Sequence, residues 1–113
     1  MLLRQLVEAL ELEVLTCRQK LEREVTAGYA SDMLSFVMAN ATEGSVWVTV
    51  QVHENIVAVA MLRSLAAILL VGDRSPEQST LDKAEQEEVC VLRSRLSAFE
   101  VVGRMYEAGI RGG

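Results

Sequence analysis

The chain is poor in cysteine, aromatic residues and positive charge, and it lacks a long uninterrupted apolar run. Each shortage removes a class of function. Of its 113 residues, two are cysteines, Cys17 and Cys90. They stand far apart, without the close four-ligand spacing of a structural zinc site or the C-x-x-C of a redox site. Both are expected to be reduced thiols, with Cys90 buried in a strand and Cys17 in a charged loop. The aromatic residues are Tyr29, Phe36, Trp47, Phe99 and Tyr106, so the core must be built mainly from aliphatic side chains. The net charge of -5 disfavours binding to a phosphate backbone, which depends on lysine and arginine displacing counterions. No nucleic-acid partner is therefore expected.

The longest apolar stretch, residues 56–71, is interrupted by Arg63 and Ser64. It falls short of the roughly 20 residues needed to cross a bilayer, and no membrane partner is expected. The first turns carry Glu8, Glu11 and Glu13 and do not resemble a cleavable targeting segment. The cytoplasm is the simplest location. There is no G-x-x-x-x-G-K-[ST], no G-x-G-x-x-G and no G-x-S-x-G. No catalytic residue, metal site or cofactor is assigned.

What is present is an aliphatic-rich chain of the size of one domain, residues 1–113, half of it hydrophobic. Leu2, Leu3, Leu6, Val7 and Leu10 have helical spacing. A brief strand is expected over residues 13–16, and a strand over 25–30 that runs into a turn at Gly28. Residues 31–41 read as a helix capped by Ser31 or Asp32, with Met33, Leu34, Val37, Met38 and Ala41 on one face. Residues 46–52 alternate as a strand, with Val46, Val48, Val50 and Val52 on one side and Trp47, Thr49 and Gln51 on the other. Residues 55–65 are apolar nearly all round, the mark of a helix buried on both sides. The continuous apolar run 66–71 suits an interior parallel strand.

Ser75, Pro76 and Gln78 have the form of a capping box with proline at the first helical position, opening a helix over 76–88 with Leu81 and Ala84 inward. A short strand follows over 89–92. Ser97 and Glu100 form a second capping box, opening a last helix in which Phe99, Val102, Tyr106 and Gly109 share a face. From Val46 onward strands and helices alternate, which implies parallel strands and right-handed crossovers. The fold class is α/β: a three-layer α/β/α arrangement around a mostly parallel sheet of about four to five strands.

In such sheets ligands bind beyond the carboxyl ends of the strands, where helix amino termini favour an anion. That rule nominates Gly28, Tyr29, Ser31, Asp32, Ser35, Gln51, His53, Asn55 and Ser97. Glu54, Gly72, Asp73 and Ser94 fall at the same predicted edge. Simpler roles compete: Ser75 and Ser97 as caps, Asp32 as a cap, and His53 as a structural histidine at a strand-to-helix turn. His53 also admits a phosphorelay or acid–base role. Met33, Phe36 and Met38 are candidates for a dimer interface, since methionine adapts to partner surfaces; core packing explains the methionines equally well.

The stretch Glu22-Arg23-Glu24-Val25-Thr26-Ala27-Gly28-Tyr29-Ala30-Ser31-Asp32-Met33-Leu34-Ser35 resembles the DRTGG domain family. The resemblance extends through residues 37–41, 47–49, 51–60, 96–100 and 103–106, nearly the whole chain, and is strongest to small stand-alone members. Arg23 and Gly28 fit the signature; Glu22 replaces its aspartate and Ala27 its first glycine. Alanine fits there only where neither a positive φ angle nor a very close ligand approach is required. The resemblance implies a fold similar to the amino-terminal domain of bacterial HPr kinase and a regulatory or dimer-forming role. Similar domains stand beside nucleotide-sensing CBS domains, in some pyrophosphatases and on phosphotransacetylase-like enzymes.

Three function classes follow. The first is a non-catalytic regulatory domain, acting as a homodimer and sensing a nucleotide or phosphorylated metabolite. The second is a purely structural interaction module. The third is His53-based phosphorelay or enzymology. The partners expected are a second copy of the chain and either an anionic small molecule or a partner protein.

Overall fold

The computed structural model describes all of residues 1–113. Five strands form one sheet in the order β1-β5-β4-β3-β2. The strands are β1 (Glu13–Val14), β2 (Ala27–Ala30), β3 (Ser45–Thr49), β4 (Ala67–Leu70) and β5 (Val91–Arg93). Strands β2 to β5 are mutually parallel. Only β1 runs antiparallel, pairing Glu13 with Arg93 at the β5 edge. The helices are α1 (Leu3–Leu10), α2 (Leu34–Asn40), α3 (Asn55–Leu62), α4 (Gln78–Gln86) and α5 (Ala98–Glu107), with a 3-10 turn at Arg18–Lys20.

Alternation along the strands divides the core into two sheets of side chains. Val46, Val48, Ala67, Leu69, Val71 and Leu92 pack with Leu3, Leu6 and Leu10 of α1 and with Val101 and Met105 of α5. Trp47, Ile68, Leu70 and Val91 pack on the opposite face with Val37, Ile56, Val57, Ala60 and Ala84 of α2, α3 and α4. The result is the expected α/β/α sandwich. Each of the crossovers β2-α2-β3, β3-α3-β4 and β4-α4-β5 places its helix on the same face, as a single crossover hand requires of strands that succeed one another in one direction. After β5 the chain returns to the face of α1, and α5 lies there beneath β3 and β2. This return brings the end of the chain to the sheet edge. The Gly28 N–H donates to the Arg111 carbonyl at 2.9 Å, and Gly28 and Gly112 form a parallel bridge.

Several local expectations change. Gly28 is an ordinary strand residue, not a turn: its φ is not positive, and a Cβ there would lie 3.1 Å from Met105 Cε and 3.2 Å from Ile110 Cγ2. Helix α2 starts at Leu34, and neither Ser31 nor Asp32 caps it, because both side chains are engaged elsewhere. Strand β3 stops at Thr49, since the Val50 N–H turns to the Asp32 carboxylate at 3.0 Å. Helix α3 ends at Leu62 and is buried on one face only, leaving Met61 and Leu62 exposed. Ser75 caps nothing: α4 begins at Gln78 after Glu77, with no side-chain cap. Thr80 and Ala84 are its buried residues, while Leu81 is only half-buried. In α5 the shared face of Phe99, Val102 and Tyr106 is the exposed one, and Val101 and Met105 face the core.

Cys17 lies at the start of the charged connection between β1 and β2 but is buried, as is Cys90 just before β5. Burial, the largest influence, pushes the Cys90 thiol up to about 11 and also raises that of Cys17. No helix is long and apolar enough to cross a membrane.

Candidate functional site

The parallel register aligns the carboxyl ends of β2 to β5. Ala30 stands beside Val48, Thr49 beside Leu70, and Leu70 beside Arg93. The residues that follow these strands therefore share one edge of the sheet, but they do not converge on one point. Three strand spacings separate β2 from β5, about 14 Å. Two separate clusters form along that edge.

Asp32 organises the first cluster. Its Oδ1 accepts from the Thr49 hydroxyl at 2.9 Å and from the Val50 N–H at 3.0 Å. Gln51 returns the contact, its Nε2 donating to the Asp32 carbonyl at 2.9 Å, while its N–H donates to Thr49 Oγ1 at 3.2 Å. The Trp47 indole donates to the Ser31 carbonyl at 2.8 Å, and the Met33 N–H donates to Ser31 Oγ at 3.1 Å. Asp32, Gln51 and Ser31 are thus brought together, and they hold two loops to each other.

The second cluster joins the ends of β4 and β5. The Gly72 N–H donates to the Leu96 carbonyl at 2.7 Å. Arg93 donates to Asp73 Oδ1 at 2.8 Å and to Glu13 Oε1 at 3.1 Å. Ser97 caps α5, accepting from the Glu100 N–H at 3.4 Å; this is the cap that the sequence pattern indicates.

Other nominated residues serve single helices. His53 is exposed, and its Nδ1 accepts the Asn55 N–H at 3.1 Å in the first turn of α3. Ser35 is exposed on α2. At the other end of the sheet, signature residue Arg23 donates to the Ala66 carbonyl at 3.2 Å, tying the segment before β2 to the start of β4. Ala27 is a buried strand residue without a positive φ, so alanine is accommodated there. Of the proposed interface residues, Met33 and Phe36 are exposed, whereas Met38 is half-buried against the core.

Gly28 and Tyr29 lie away from the rim, in a concave site that sequence reasoning did not find. It is a half-open pocket of about 170 Å³ between the outer edge of β2, α5 and the segment 110–112. Val48, Val102, Met105 and Ile110 supply aliphatic and thioether walls, and Tyr106 and Arg111 stand at its border. The Arg111 guanidinium lies 3.8 Å from the centroid of the Tyr106 ring, within the range of a cation–π contact. The exposed aromatic face of α5 continues outward from this pocket through Val102 to Phe99.

Comparison with known proteins gives two findings. A family model described as DRTGG domain matches residues 5–108. A solved structure comprising the CBS and DRTGG domains of the regulatory region of a Clostridium perfringens pyrophosphatase, complexed with its activator diadenosine tetraphosphate, superimposes with a TM-score of 0.74. The identity is 12%, over 91% of this chain and 45% of that one, so the likeness is one of fold and this chain spans less than half of that structure. No curated protein matches by sequence.

Proposed function

Because this chain belongs to the DRTGG domain family, we propose that residues 1–113 form one non-catalytic regulatory domain, cytoplasmic and self-pairing, that responds to a small nucleotide or phosphorylated ligand. The observation that carries this reading is the pocket beside the signature stretch, where Gly28 and the backbone of Tyr29, whose side chain packs on the opposite face, meet α5 and Arg111. A concave, mainly apolar site with a few polar groups is the usual form of a small-molecule site. The similar pyrophosphatase regulatory region, complexed with diadenosine tetraphosphate, supports the nucleotide class. The rim residues Asp32, Gln51 and Ser97 are spent on loop closure and capping.

Thermal-shift measurement against nucleotides, including diadenosine tetraphosphate, and phosphorylated metabolites tests the reading. A ligand that binds only the native state raises the melting temperature, by an amount that grows with its concentration over Kd. No rise with any compound rejects the ligand-sensing role.

A second reading, a structural module that pairs with itself, is favoured by two separate exposed apolar patches: Phe99 (88% exposed) with Tyr106 (58%) on α5, and Phe36 (55%) on α2 across the sheet. Exposed apolar patches mark interaction sites. Sedimentation equilibrium of the wild type, Phe36→Glu and Phe99→Glu separates the possibilities. A wild-type monomer removes self-pairing altogether, and a dimer unchanged by both substitutions removes these two surfaces. His53 chemistry is the weakest reading, because Nδ1 already accepts the Asn55 amide.

A further inference from the structure

The pocket at the β2 edge restricts what can occupy it. Its walls are apolar, and two glycines, Gly28 and Gly112, leave backbone exposed along it. Met105 Cε and Ile110 Cγ2 close over Gly28, 3.1 and 3.2 Å from where a Cβ would stand, and so form the pocket floor there. At the mouth, Arg111 is held flat over Tyr106. One of its terminal nitrogens donates to the Tyr106 carbonyl at 2.7 Å and to the Ile110 carbonyl at 3.2 Å. Both acceptors are neutral, so the positive charge is not cancelled by a carboxylate. The other guanidinium N–H groups remain available. A planar cation fixed in this way matches the paired oxygens of a phosphate or carboxylate.

We infer that this pocket takes a small anion bearing a flat aromatic ring system, with the ring against Val102 and Met105 beside the β2 edge and the anionic group at Arg111. The inference rests on the ligand-binding reading above and assigns it a place and a chemistry. The two parts of the ligand are both required. A ring alone leaves Arg111 unused, and a bare anion leaves the apolar walls in water. At about 170 Å³ the half-open pocket has room for one ring system, with the remainder of a larger ligand outside its mouth.

The test is a titration of the 15N-labelled full chain, followed by amide shifts, with adenosine 5′-monophosphate, adenosine, inorganic phosphate and indole-3-acetate. At least one ring-bearing anion is expected to shift the amides of Gly28, Tyr29, Arg111 and Gly112 saturably. Adenosine and phosphate should each bind at least tenfold more weakly than adenosine 5′-monophosphate if that is the binder. Arg111→Gln, at an exposed position, should weaken binding tenfold or more while the protein stays folded, its amide spectrum away from residues 106–112 unchanged. Val102→Trp should block the mouth and abolish binding. Failure of both ring-bearing anions to move these amides overturns the assignment, as does binding that both variants leave intact. Shifts confined to Gln51, His53 and Asn55 would retain a ligand-binding domain and reject this site. No amide shift and no thermal stabilisation with any compound would reject both.

Discussion

The carboxylate of Asp32 accepts a hydrogen bond from the Thr49 hydroxyl, oxygen to oxygen 2.9 Å, and this contact joins the loop after β2 to the end of β3. The same oxygen receives the Val50 amide, which ends the β3 ladder. Asp32→Ala should therefore loosen two loops at once, costing about 1.5–3 kcal/mol by the usual worth of hydrogen bonds to a charged group. Asp32→Asn, which keeps an acceptor oxygen, should recover much of that loss. Urea unfolding of the three proteins measures it; equal stability of wild type and Asp32→Ala would show that the clasp does not bear on folding.

Thr16 gives a sharper test of buried polarity. Its hydroxyl is buried, donates to the Val89 carbonyl at 2.6 Å and accepts the Val91 N–H at 2.9 Å. Thr16→Val keeps the shape and adds apolar surface, yet it should destabilise the protein by about 1–3 kcal/mol because two backbone groups lose their partner. Thr16→Ser should lie closer to wild type. Stabilisation by Thr16→Val, read in the same denaturant series, would contradict this account.

The two serines with capping-box patterns should behave differently. Ser97→Ala removes an observed cap on α5 and should cost about 0.5–1 kcal/mol, the low end of the usual range because the bond is long. Ser75 makes no cap, and α4 starts three residues after it, so Ser75→Ala should leave stability within about 0.5 kcal/mol of wild type. Equal losses at both positions, measured by thermal unfolding, would show that the structural distinction is wrong.

Those two serines show what the sequence could reveal and what it could not. The run 66–71 was legible as an interior strand because no polar residue interrupts it, and β4 lies there at Ala67–Leu70. The repeated motif of serine followed three residues later by glutamine or glutamate could not distinguish a cap from a loop residue. That depends on the backbone path through Pro76 and Glu77. Strand β3 was read as too long because Val50 and Val52 continue the alternation, while their chain direction is set by Asp32, 18 residues earlier. Asp32 and Gln51 are both nominated for one sheet edge by the sequence, but their hydrogen bond is not legible there, because the alternation places Gln51 inside the strand. The pocket was not: it needs α5 to change faces and deliver Tyr106 and Arg111 to Gly28, a long-range arrangement without a local sequence signal.

Cys90 gives a pH prediction. Its thiol is raised from 9.0 to about 11 by burial, so the folded state keeps the proton where the unfolded state releases it. The stabilisation is fully present below pH 9 and is lost as pH rises toward 11. The decline should total about 2–3 kcal/mol at 1.36 kcal/mol per unit. Cys17 shifts in the same direction and should add to the slope. Denaturant unfolding from pH 8 to 11 should show the decline in wild type and a shallower one in Cys90→Ala. The native thiols should also resist a thiol-specific dye until the protein unfolds; rapid labelling of the native protein would contradict their burial.

A crystal structure of the chain with whichever nucleotide or phosphorylated compound most raises its melting temperature tests the functional account most directly. The account predicts electron density for the ligand against Gly28, Tyr29, Val102 and Tyr106, with an anionic group facing Arg111. Density at the strand ends beside His53 and Asn55, with the β2 edge empty, would contradict it.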